Sequence, residues 1–510
     1  MIKFDVDEFG AISLVFSDEK HIEIPTMVLT KEVTSIAHHA FAGCESFKSI
    51  TIPDGVASIG DCAFYGCLSL KSITIPGSVS SIGNRAFSDC YFLNSVVIPN
   101  RITSISPYAF ANCKSLKSVI IPESVNFIGE EAFSCCKYLS SIVIPRGVTS
   151  IGERAFVCCE SIKSITIPDT VTFIGEGVFS YCKSLESITI PDSVTSISNC
   201  AFRGCSSLKS IIISDSVKYI GENAFEDCKS LEAIVIPNSV TSIGENAFRG
   251  CKSLKSITIP ESVNFIGRSA FKDCRSLSSI VIPSSITSIE DSVFENCKSL
   301  ASVTIPESVT SIGKEVFKDC KALSVITIPE SVTSIGVYAF NNCPAQKFIS
   351  IPKEQKHFVC IGNYKSKVVI SNKCTSIGDR AFAGNKILKS VAIPESITSI
   401  GDSAFLGCHF LESITIPASV TSIGNSAFSC CRSLESIIIP ESVAFIGKDA
   451  FYGCTSLNSV IISESVTSIG EWAFSSCTAL KSIYINKEKN SIANAPWGTL
   501  NVKVYWKGEY

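Results

Sequence analysis

The chain has 510 residues, with 44 basic and 47 acidic side chains, a formal net charge of −3 and a pI of about 6.1. This balance argues against nucleic acid or an anionic membrane surface as the main partner. The sequence has neither the ~18 consecutive apolar residues of a membrane-spanning helix nor a basic start followed by an apolar stretch, so no transmembrane segment and no secretory signal are expected.

Residues 1–32 are predicted to form an N-terminal cap that contains a β-hairpin. Lys3–Val6 and Ala11–Phe16 flank Glu8–Gly10 in the manner of two strands and their turn. The array of repeats that follows would expose its core at the first turn without such a cap.

A 23-residue repeat begins at residue 33. Phenylalanine recurs at this spacing from Phe41 to Phe340 and again from Phe382 to Phe474. A fixed period of this length marks a stacked solenoid, in which each short unit buries its apolar face only against its neighbours. The sequence therefore predicts a repeat solenoid, mainly β, of about twenty turns, with the phenylalanines in its core.

The repeat that starts at Cys251 illustrates the predicted elements. The segment Leu254–Pro260 alternates apolar and small polar residues, which is the pattern of a half-buried strand. A second short extended piece precedes Gly267, where a turn with positive φ is expected to favour glycine. Ala270 and Phe271 then follow in a segment too short for a full α-helix, for which a helical or 3₁₀ turn is predicted.

Eighteen of the 25 cysteines occupy one position in the repeat, three residues after the phenylalanine. A residue that recurs once per turn is expected to point inward, so these thiols are predicted to form a buried ladder that donates hydrogen bonds to loop carbonyls. Disulfides along the ladder are disfavoured because stacked strands lie ~4.8 Å apart, farther than the ~3.8 Å between the Cβ atoms of a disulfide. The better candidates for disulfides lie off the ladder, Cys135 with Cys158 and Cys360 with Cys374.

The array is predicted to span residues 33–352 and 372–486, with an irregular, shortened repeat at 353–371 between them. Phe340 and Phe382 are 42 residues apart, where two regular repeats take 46, and the segment between them lacks its phenylalanine and is locally basic. It is either a decayed repeat that only bends the stack or a hinge or binding insertion. In the second interpretation the candidate residues are Lys353, Lys356, His357, Tyr364, Lys365 and Lys367.

Residues 487–510 are predicted to form the C-terminal cap. A solenoid needs a cover at its last turn as well as at its first. Trp497 and Trp506 are the large apolar side chains of this segment that are suited to the task.

The sequence offers no constellation of residues that carries chemistry. The histidines are His21, His38, His39, His357 and His409. They are far apart in a solenoid, where distance along the chain is close to distance in space. The serines fill regular positions of the repeat, and the glycines recur once per turn rather than in a phosphate-binding loop. We therefore predict no catalytic residue, no cofactor and no metal site, and a protein that is not an enzyme.

Exposed positions of the predicted strands form the candidate binding surface. Each strand offers a serine and, two residues later, a β-branched residue, and this alternation predicts one broad, nearly uncharged face. Such a face suits a protein partner that lies across several repeats, although β-branched residues also simply favour strands. The candidate residues are Ser187, Thr189, Ser256, Thr258, Ser302 and Thr304.

The consensus L-x-x-I-x-I-P-x-x-V-x-x-I-G-x-x-A-F-x-x-C, over about residues 33–486, resembles the BspA-like leucine-rich repeat family of surface and secreted proteins in bacteria and parasitic protists. The resemblance implies a curved stack whose parallel strands line the inner face. It also implies a non-catalytic, adhesin-like scaffold for protein–protein interaction, located at the cell surface or secreted, whereas the lack of a signal favours the cytoplasm as the alternative.

Two other functions remain open at this point. A structural spacer or self-associating rod would use the length of the stack rather than one face of it. A carbohydrate-binding surface protein is the third hypothesis, and it is disfavoured because the predicted inner strands lack aromatic residues apart from Phe348 and Tyr484.

Overall fold

The computed structural model describes residues 3–16, 19–323, 325–329, 331–332, 334–336, 338–343, 357–358, 367–370, 374–386, 388–489, 491–492, 497–499 and 502–509. The chain divides into two compact units, Met1–Leu277 and Ser278–Tyr510. Each unit is built from 23-residue turns of stacked parallel strands, which confirms the predicted β-solenoid.

The strands of the first unit are β1 (Lys3–Val6), β2 (Ala11–Phe16), β3 (His21–Glu23), β4 (Met27–Val28), β5 (Lys31–Glu32), β6 (Ser35–Ile36), β7 (Ser49–Thr51), β8 (Ser58–Ile59), β9 (Ser72–Thr74), β10 (Ser81–Ile82), β11 (Ser95–Val97), β12 (Ser104–Ile105), β13 (Ser118–Ile120), β14 (Phe127–Ile128), β15 (Ser141–Ile142), β16 (Ser150–Ile151), β17 (Phe173–Ile174), β18 (Ser187–Thr189), β19 (Ser196–Ile197), β20 (Ser210–Ile212), β21 (Tyr219–Ile220), β22 (Ala233–Val235), β23 (Ser242–Ile243), β24 (Ser256–Thr258) and β25 (Phe265–Ile266).

The strands of the second unit are β26 (Ser279–Val281), β27 (Ser288–Ile289), β28 (Ser302–Thr304), β29 (Ser311–Ile312), β30 (Val325–Thr327), β31 (Ser334–Ile335), β32 (His357–Phe358), β33 (Lys367–Val369), β34 (Ser376–Ile377), β35 (Ser390–Ala392), β36 (Ser399–Ile400), β37 (Ser413–Ile414), β38 (Ser422–Ile423), β39 (Ser436–Ile439), β40 (Phe445–Ile446), β41 (Ser459–Ile462), β42 (Ser468–Ile469), β43 (Ser482–Ile485) and β44 (Lys503–Trp506).

Most of the described repeats contribute two strands, which we call the first strand and the second strand; the repeat that contains Ser164 has only an isolated bridge at the place of the first. In the repeat shown above they are β24 and β25, and each pairs in parallel with the same strand of the preceding repeat. Val235 therefore lies opposite Thr258, and Ser242 opposite Phe265. Every position of the repeat is stacked on its own copy one turn away, so a residue type that recurs in sequence becomes a row in space.

The segment around the phenylalanine forms a third hydrogen-bonded row instead of the predicted helical or 3₁₀ turn. The N–H groups of Asn246, Phe248 and Gly250 donate to carbonyls of the next turn at 2.9, 2.8 and 2.8 Å. This is possible because Asn246 and Gly250 have φ of 53° and 73°, which directs alternate N–H groups along the stack. In a helix those N–H groups would donate to carbonyls of the same segment. The described part of the chain contains strands and turns but no helix.

Phenylalanine rings are stacked through the core of each unit. The Phe179 ring is fully buried, and its centroid lies 5.7 Å from those of Phe156 and Phe202, with interplanar angles of 6° and 13°. Such spacings are those of favourable offset aromatic pairs. The third hydrogen-bonded row sets this spacing, since Phe179 N–H donates to the Ala201 carbonyl at 2.9 Å.

The recurring glycine before this segment has a different role from the one its sequence position suggests. Gly244 is not among the residues with positive φ, so that expectation is wrong. A Cβ on Gly244 would lie 2.7 Å from both the Glu222 nitrogen and the Gly221 carbonyl carbon of the preceding turn. Glycine is therefore favoured at this position because two backbones approach closely. Where serine replaces it, as at Ser198, the hydroxyl donates to a carbonyl of the preceding turn, Ile174, at 2.5 Å.

We expect Gly244→Ala to lower the free energy of unfolding by ~1–3 kcal/mol, because the methyl group forces apart two backbones and gains no hydrogen bond. Gly77→Ala is the matched control, since a Cβ there meets nothing within 4 Å. It should leave stability unchanged or raise it slightly. Chemical denaturation of the two variants tests this, and equal destabilisation of both would contradict the role assigned to Gly244.

The N-terminal strands cover the first turn of the array. β1 and β2 form an antiparallel hairpin, and β2 then pairs in parallel with β6. The Phe4 ring meets the Phe41 ring edge-on at 6.5 Å. The apolar side chains of the first turn are thereby removed from solvent.

At the other end, Trp497 packs edge-on against Phe474 with ring centroids 6.5 Å apart. Trp497 and Trp506 are both buried, and β44 adds a last parallel strand to β43. The last phenylalanine of the array is thus covered by a larger aromatic ring.

Candidate functional site

The described histidines make local contacts between neighbouring turns. His21 Nδ1 is 2.6 Å from the Ser49 hydroxyl, the Asp61 N–H donates to His38 Nδ1 at 2.9 Å, and His409 Nδ1 lies 3.0 Å from the Cys430 carbonyl. Among the described residues, no three His, Cys, Asp or Glu side chains are grouped so as to hold a metal ion. None of the described segments forms a helix long and apolar enough to cross a membrane.

The cysteine ladder has the predicted hydrogen bonds. Cys205 and Cys228 are fully buried, and their thiols donate to the carbonyls of Phe179 and Phe202 at 3.1 and 3.2 Å. Burial raises the pKa of both thiols well above the usual range. The ladder thiols therefore satisfy carbonyls of the phenylalanine segment and stay protonated, which makes them structural.

The first-strand face consists of the exposed side chains at the first and third positions of the first strands. Along each of the first strands β18, β24 and β28, the first and third residues are exposed and the second is buried. All six predicted partner-binding residues lie on this face, four in the first unit and two in the second. The structure places them in open rows: Ser187, Thr189, Ser256, Thr258, Ser302 and Thr304.

One run of three apolar residues on the first-strand face comprises Val97, Ile120 and Val143. These side chains are 61, 64 and 76% exposed. Val97 lies opposite Ile120 in the pairing of β11 with β13, and Val143 directly follows β15, which pairs with β13. Three branched apolar side chains thus stand in one row on adjacent turns, in contact with water. We call them the apolar row.

Basic side chains flank the apolar row. Lys71 and Lys117 precede β9 and β13 by one residue, and Lys163 occupies the same position of its repeat. All three are exposed and make no ion pair within the described part of the chain. Farther along, the same position carries alternating charges that pair one turn apart, with Glu186 to Lys209 at 3.1 Å and Glu232 to Lys255 at 2.8 Å. Positive charge is therefore uncompensated beside the apolar row and compensated beyond it.

Sequence analysis missed a row of aromatic side chains on the second strands. Phe127, Phe173, Tyr219 and Phe265 are 37–52% exposed. They stand on every second turn with serine between them, as the pairings of Phe127 with Ser150 and of Ser150 with Phe173 show. The signal was available, since these residues are two repeats apart along the chain.

The candidate site at the irregular repeat falls mostly outside the described residues. Lys353, Lys356, Tyr364 and Lys365 are not among them. The backbone of His357 lies in β32, opposite Ser376, and that of Lys367 in β33, opposite Ser390, but the side chains of these two residues are outside the described atoms. Cys360, half of one predicted disulfide pair, is also outside the described residues, and Cys374 is buried.

The family model of the BspA-type leucine-rich repeat region, with six copies, matches residues 15–140, 128–255, 220–347, 353–481 and 421–497. A solved leucine-rich repeat protein from Bacteroides ovatus is 25% identical, with 99% of this chain and 98% of that chain covered and a TM-score of 0.32. A leucine-rich cell surface protein from Faecalibacterium prausnitzii is 25% identical, with coverage of 96 and 94% and a TM-score of 0.28. A leucine-rich repeat protein from Eubacterium ventriosum is 23% identical, with coverage of 69 and 95% and a TM-score of 0.37. No curated protein matches the chain.

Proposed function

The chain belongs to the BspA-type leucine-rich repeat proteins, and we propose that it is a non-catalytic, adhesin-like scaffold that binds a protein partner across its first-strand face. The observation that carries this proposal is the apolar row, whose side chains are 61–76% exposed on adjacent turns. Binding of a partner that removes a contiguous strip of exposed apolar side chains from water lowers the free energy of the complex. Their strands hold them in place, so little ordering cost opposes binding.

The charges beside the apolar row indicate the chemistry of the partner. Lys71, Lys117 and Lys163 leave uncompensated positive charge along one edge. A partner surface that combines apolar side chains with acidic groups is complementary to this edge. Rows of Ser and Thr, including Ser187, Thr189, Ser256 and Thr258, extend the face over further turns of the first unit.

The distribution of titratable groups supports a role without catalysis. His21 and His38 are paired locally on the outside of the stack, and the ladder thiols are buried and protonated. A general acid–base pair needs two such groups within hydrogen-bond reach of one substrate atom. A scaffold needs only a rigid surface.

Two other surfaces compete with this assignment. The aromatic row of Phe127, Phe173, Tyr219 and Phe265 supplies the exposed rings that carbohydrate binding requires, and it favours that function as the second candidate. The irregular repeat at 353–371 remains a candidate binding insertion on its sequence. A spacer or self-associating rod would depend on neither surface.

We expect the double variant Ile120→Lys and Val143→Lys to bind the partner at least tenfold more weakly. Two lysines in the apolar row place charges where apolar contact forms and add to positive charge already there. The fold should persist because both side chains already point to solvent. Quantitative capture from a total protein extract of cells that the organism contacts, with the full chain as bait, gives the measurement.

The matched control is Thr149→Lys with Thr172→Lys beside the second strands. Both threonines are exposed, and Lys218 occupies the same position of a later repeat. Capture should be unchanged by this pair. Binding lost in the control and kept in the apolar-row variant would move the site to the aromatic row.

A further inference from the structure

Cys135 and Cys158 stand side by side on adjacent turns. Each lies two residues after the stacked phenylalanine of its repeat, with φ of 57° and 59°, and each is partly exposed. Their N–H groups donate to the next turn, Cys135 to Val157 at 2.7 Å and Cys158 to Ser180 at 2.8 Å. The two thiols therefore leave the backbone from equivalent places one turn apart.

Side chains at this position of the repeat reach one another in other turns. Asn342 Nδ2 donates to Asp319 Oδ1 at 3.0 Å, and these residues occupy the same position in adjacent repeats. A Cβ placed on Gly453 would lie 3.3 Å from the Cys430 sulfur of the preceding turn. The bond lengths of a disulfide put a Cβ about 3 Å from the far sulfur, so this position permits a bond between turns.

The pair also differs chemically from the other described thiols. The neighbouring Cys158 thiol lowers the pKa of Cys135 to about 7, helped by Lys137 and Lys114 and opposed by burial and Glu131. The pKa of Cys158 is raised, first by the neighbouring Cys135, and further by burial, Cys182 and Glu160. The lowered pKa favours the thiolate of Cys135, the form that attacks a disulfide, and Cys158 lies beside it in the place of a resolving cysteine.

We propose that Cys135 and Cys158 form a site of reversible covalent modification, at which low-molecular-weight disulfides react and a disulfide closes between adjacent turns. The Cys135 thiolate attacks one sulfur of the small disulfide, forms a mixed disulfide and releases one small thiolate. Cys158 then loses its proton and attacks the Cys135 sulfur, which breaks the mixed disulfide and releases the second thiolate. From the Cys135 thiolate and the Cys158 thiol, the pair loses two electrons and one proton, and the small disulfide is reduced to two thiolates, one of which takes up that proton.

The neighbouring thiols do not compete. Cys136 and Cys159 are fully buried and donate to the Phe110 and Phe133 carbonyls at 3.2 and 3.1 Å, and burial raises the pKa of both. Cys430 occupies the same position of its repeat as Cys135, but glycines hold that position in the turns before and after it. Cys430 therefore has no cysteine at the same position of the adjacent turns and serves as a control within the same chain.

The test incubates the full-length protein with oxidised glutathione at pH 7, blocks the remaining thiols and maps the linkages by mass spectrometry. We expect a Cys135–Cys158 disulfide with little glutathione left on either residue. Cys158→Ala should instead accumulate the glutathione adduct on Cys135, because nothing displaces it. A Cys135 that stays unmodified, or one that keeps its adduct in the wild-type protein as it does in Cys158→Ala, would overturn the proposal.

The pH dependence of alkylation gives a second readout. Below its pKa Cys135 is a thiol and reacts slowly, so its rate of labelling by iodoacetamide should rise with pH through a midpoint near pH 7. Cys158→Ala removes the main cause and should shift the midpoint to higher pH. Cys430→Ala is the control and should leave the profile of Cys135 unchanged. An unshifted midpoint in Cys158→Ala would contradict the effect of Cys158 on the neighbouring Cys135 thiol.

Discussion

Replacing Phe179 by alanine should lower the free energy of unfolding by ~3–5 kcal/mol. The ring is fully buried between Phe156 and Phe202, each 5.7 Å away, so the substitution removes stacking contacts on both sides and leaves a cavity. The hydrogen bond from Phe179 N–H to the Ala201 carbonyl holds the turns apart and prevents them from closing over it. Chemical denaturation followed by circular dichroism measures the loss.

Phe92→Ala is the matched control for this prediction. Phe92 lies in the same unit, but its side chain is 55% exposed and is not part of the stack. Its replacement should change stability by no more than ~0.5 kcal/mol. Equal losses in the two variants would mean that the stacked rings are not the core of the fold.

Much of the architecture could be predicted from the sequence because stacking converts a period into a row. Phe179 and Cys205 occupy positions at which phenylalanine and cysteine recur every 23 residues, and both side chains are fully buried in the structure. The alternation in segments such as Leu254–Pro260 likewise predicted which strand residues are exposed. In a solenoid each repeat packs mainly against its two neighbours, so the burial of a residue can be inferred from the residues at the same position of the adjacent repeats.

The phenylalanine segment could not be predicted in the same way. Its left-handed positions are filled by residues as different as Asn246, Glu131 and Tyr108, so no residue type marks them. Hydrogen bonds to the next turn outweigh the intrinsic preference of these residues for negative φ. Gly244 was misinterpreted for a related reason, because contact with another turn, and not local conformation, favours glycine there.

The candidate surface could be predicted only in part. Sequence periodicity placed Ser187 and Thr189 on an exposed face and shows which repeats carry an apolar residue such as Val143 in place of Thr189. It did not show which charges along the edge of that face are paired, because this depends on side-chain contacts between turns, such as that of Glu186 with Lys209.

If the stretch of the first-strand face around Val97 and Ile120 binds the partner, deletion of residues 93–138 should weaken binding. This removes two whole repeats and joins Phe92 to Leu139, which occupies the same position of its repeat as Leu93. Val97 and Ile120 are lost, while the stacking of the remaining turns keeps its period. We expect about 100-fold weaker binding, which corresponds to about 2.8 kcal/mol, the size of a lost interface hot spot.

The matched control deletes residues 185–230, which are also two whole repeats, and joins Ser184 to Leu231 with the same period. Both chains are shortened equally, so a spacer would be affected equally by either deletion. The most direct measurement is the dissociation constant of each folded chain for the captured partner. We expect a loss of about 100-fold for the first deletion and of less than about tenfold for the second. Equal affinities for the two shortened chains would contradict this expectation.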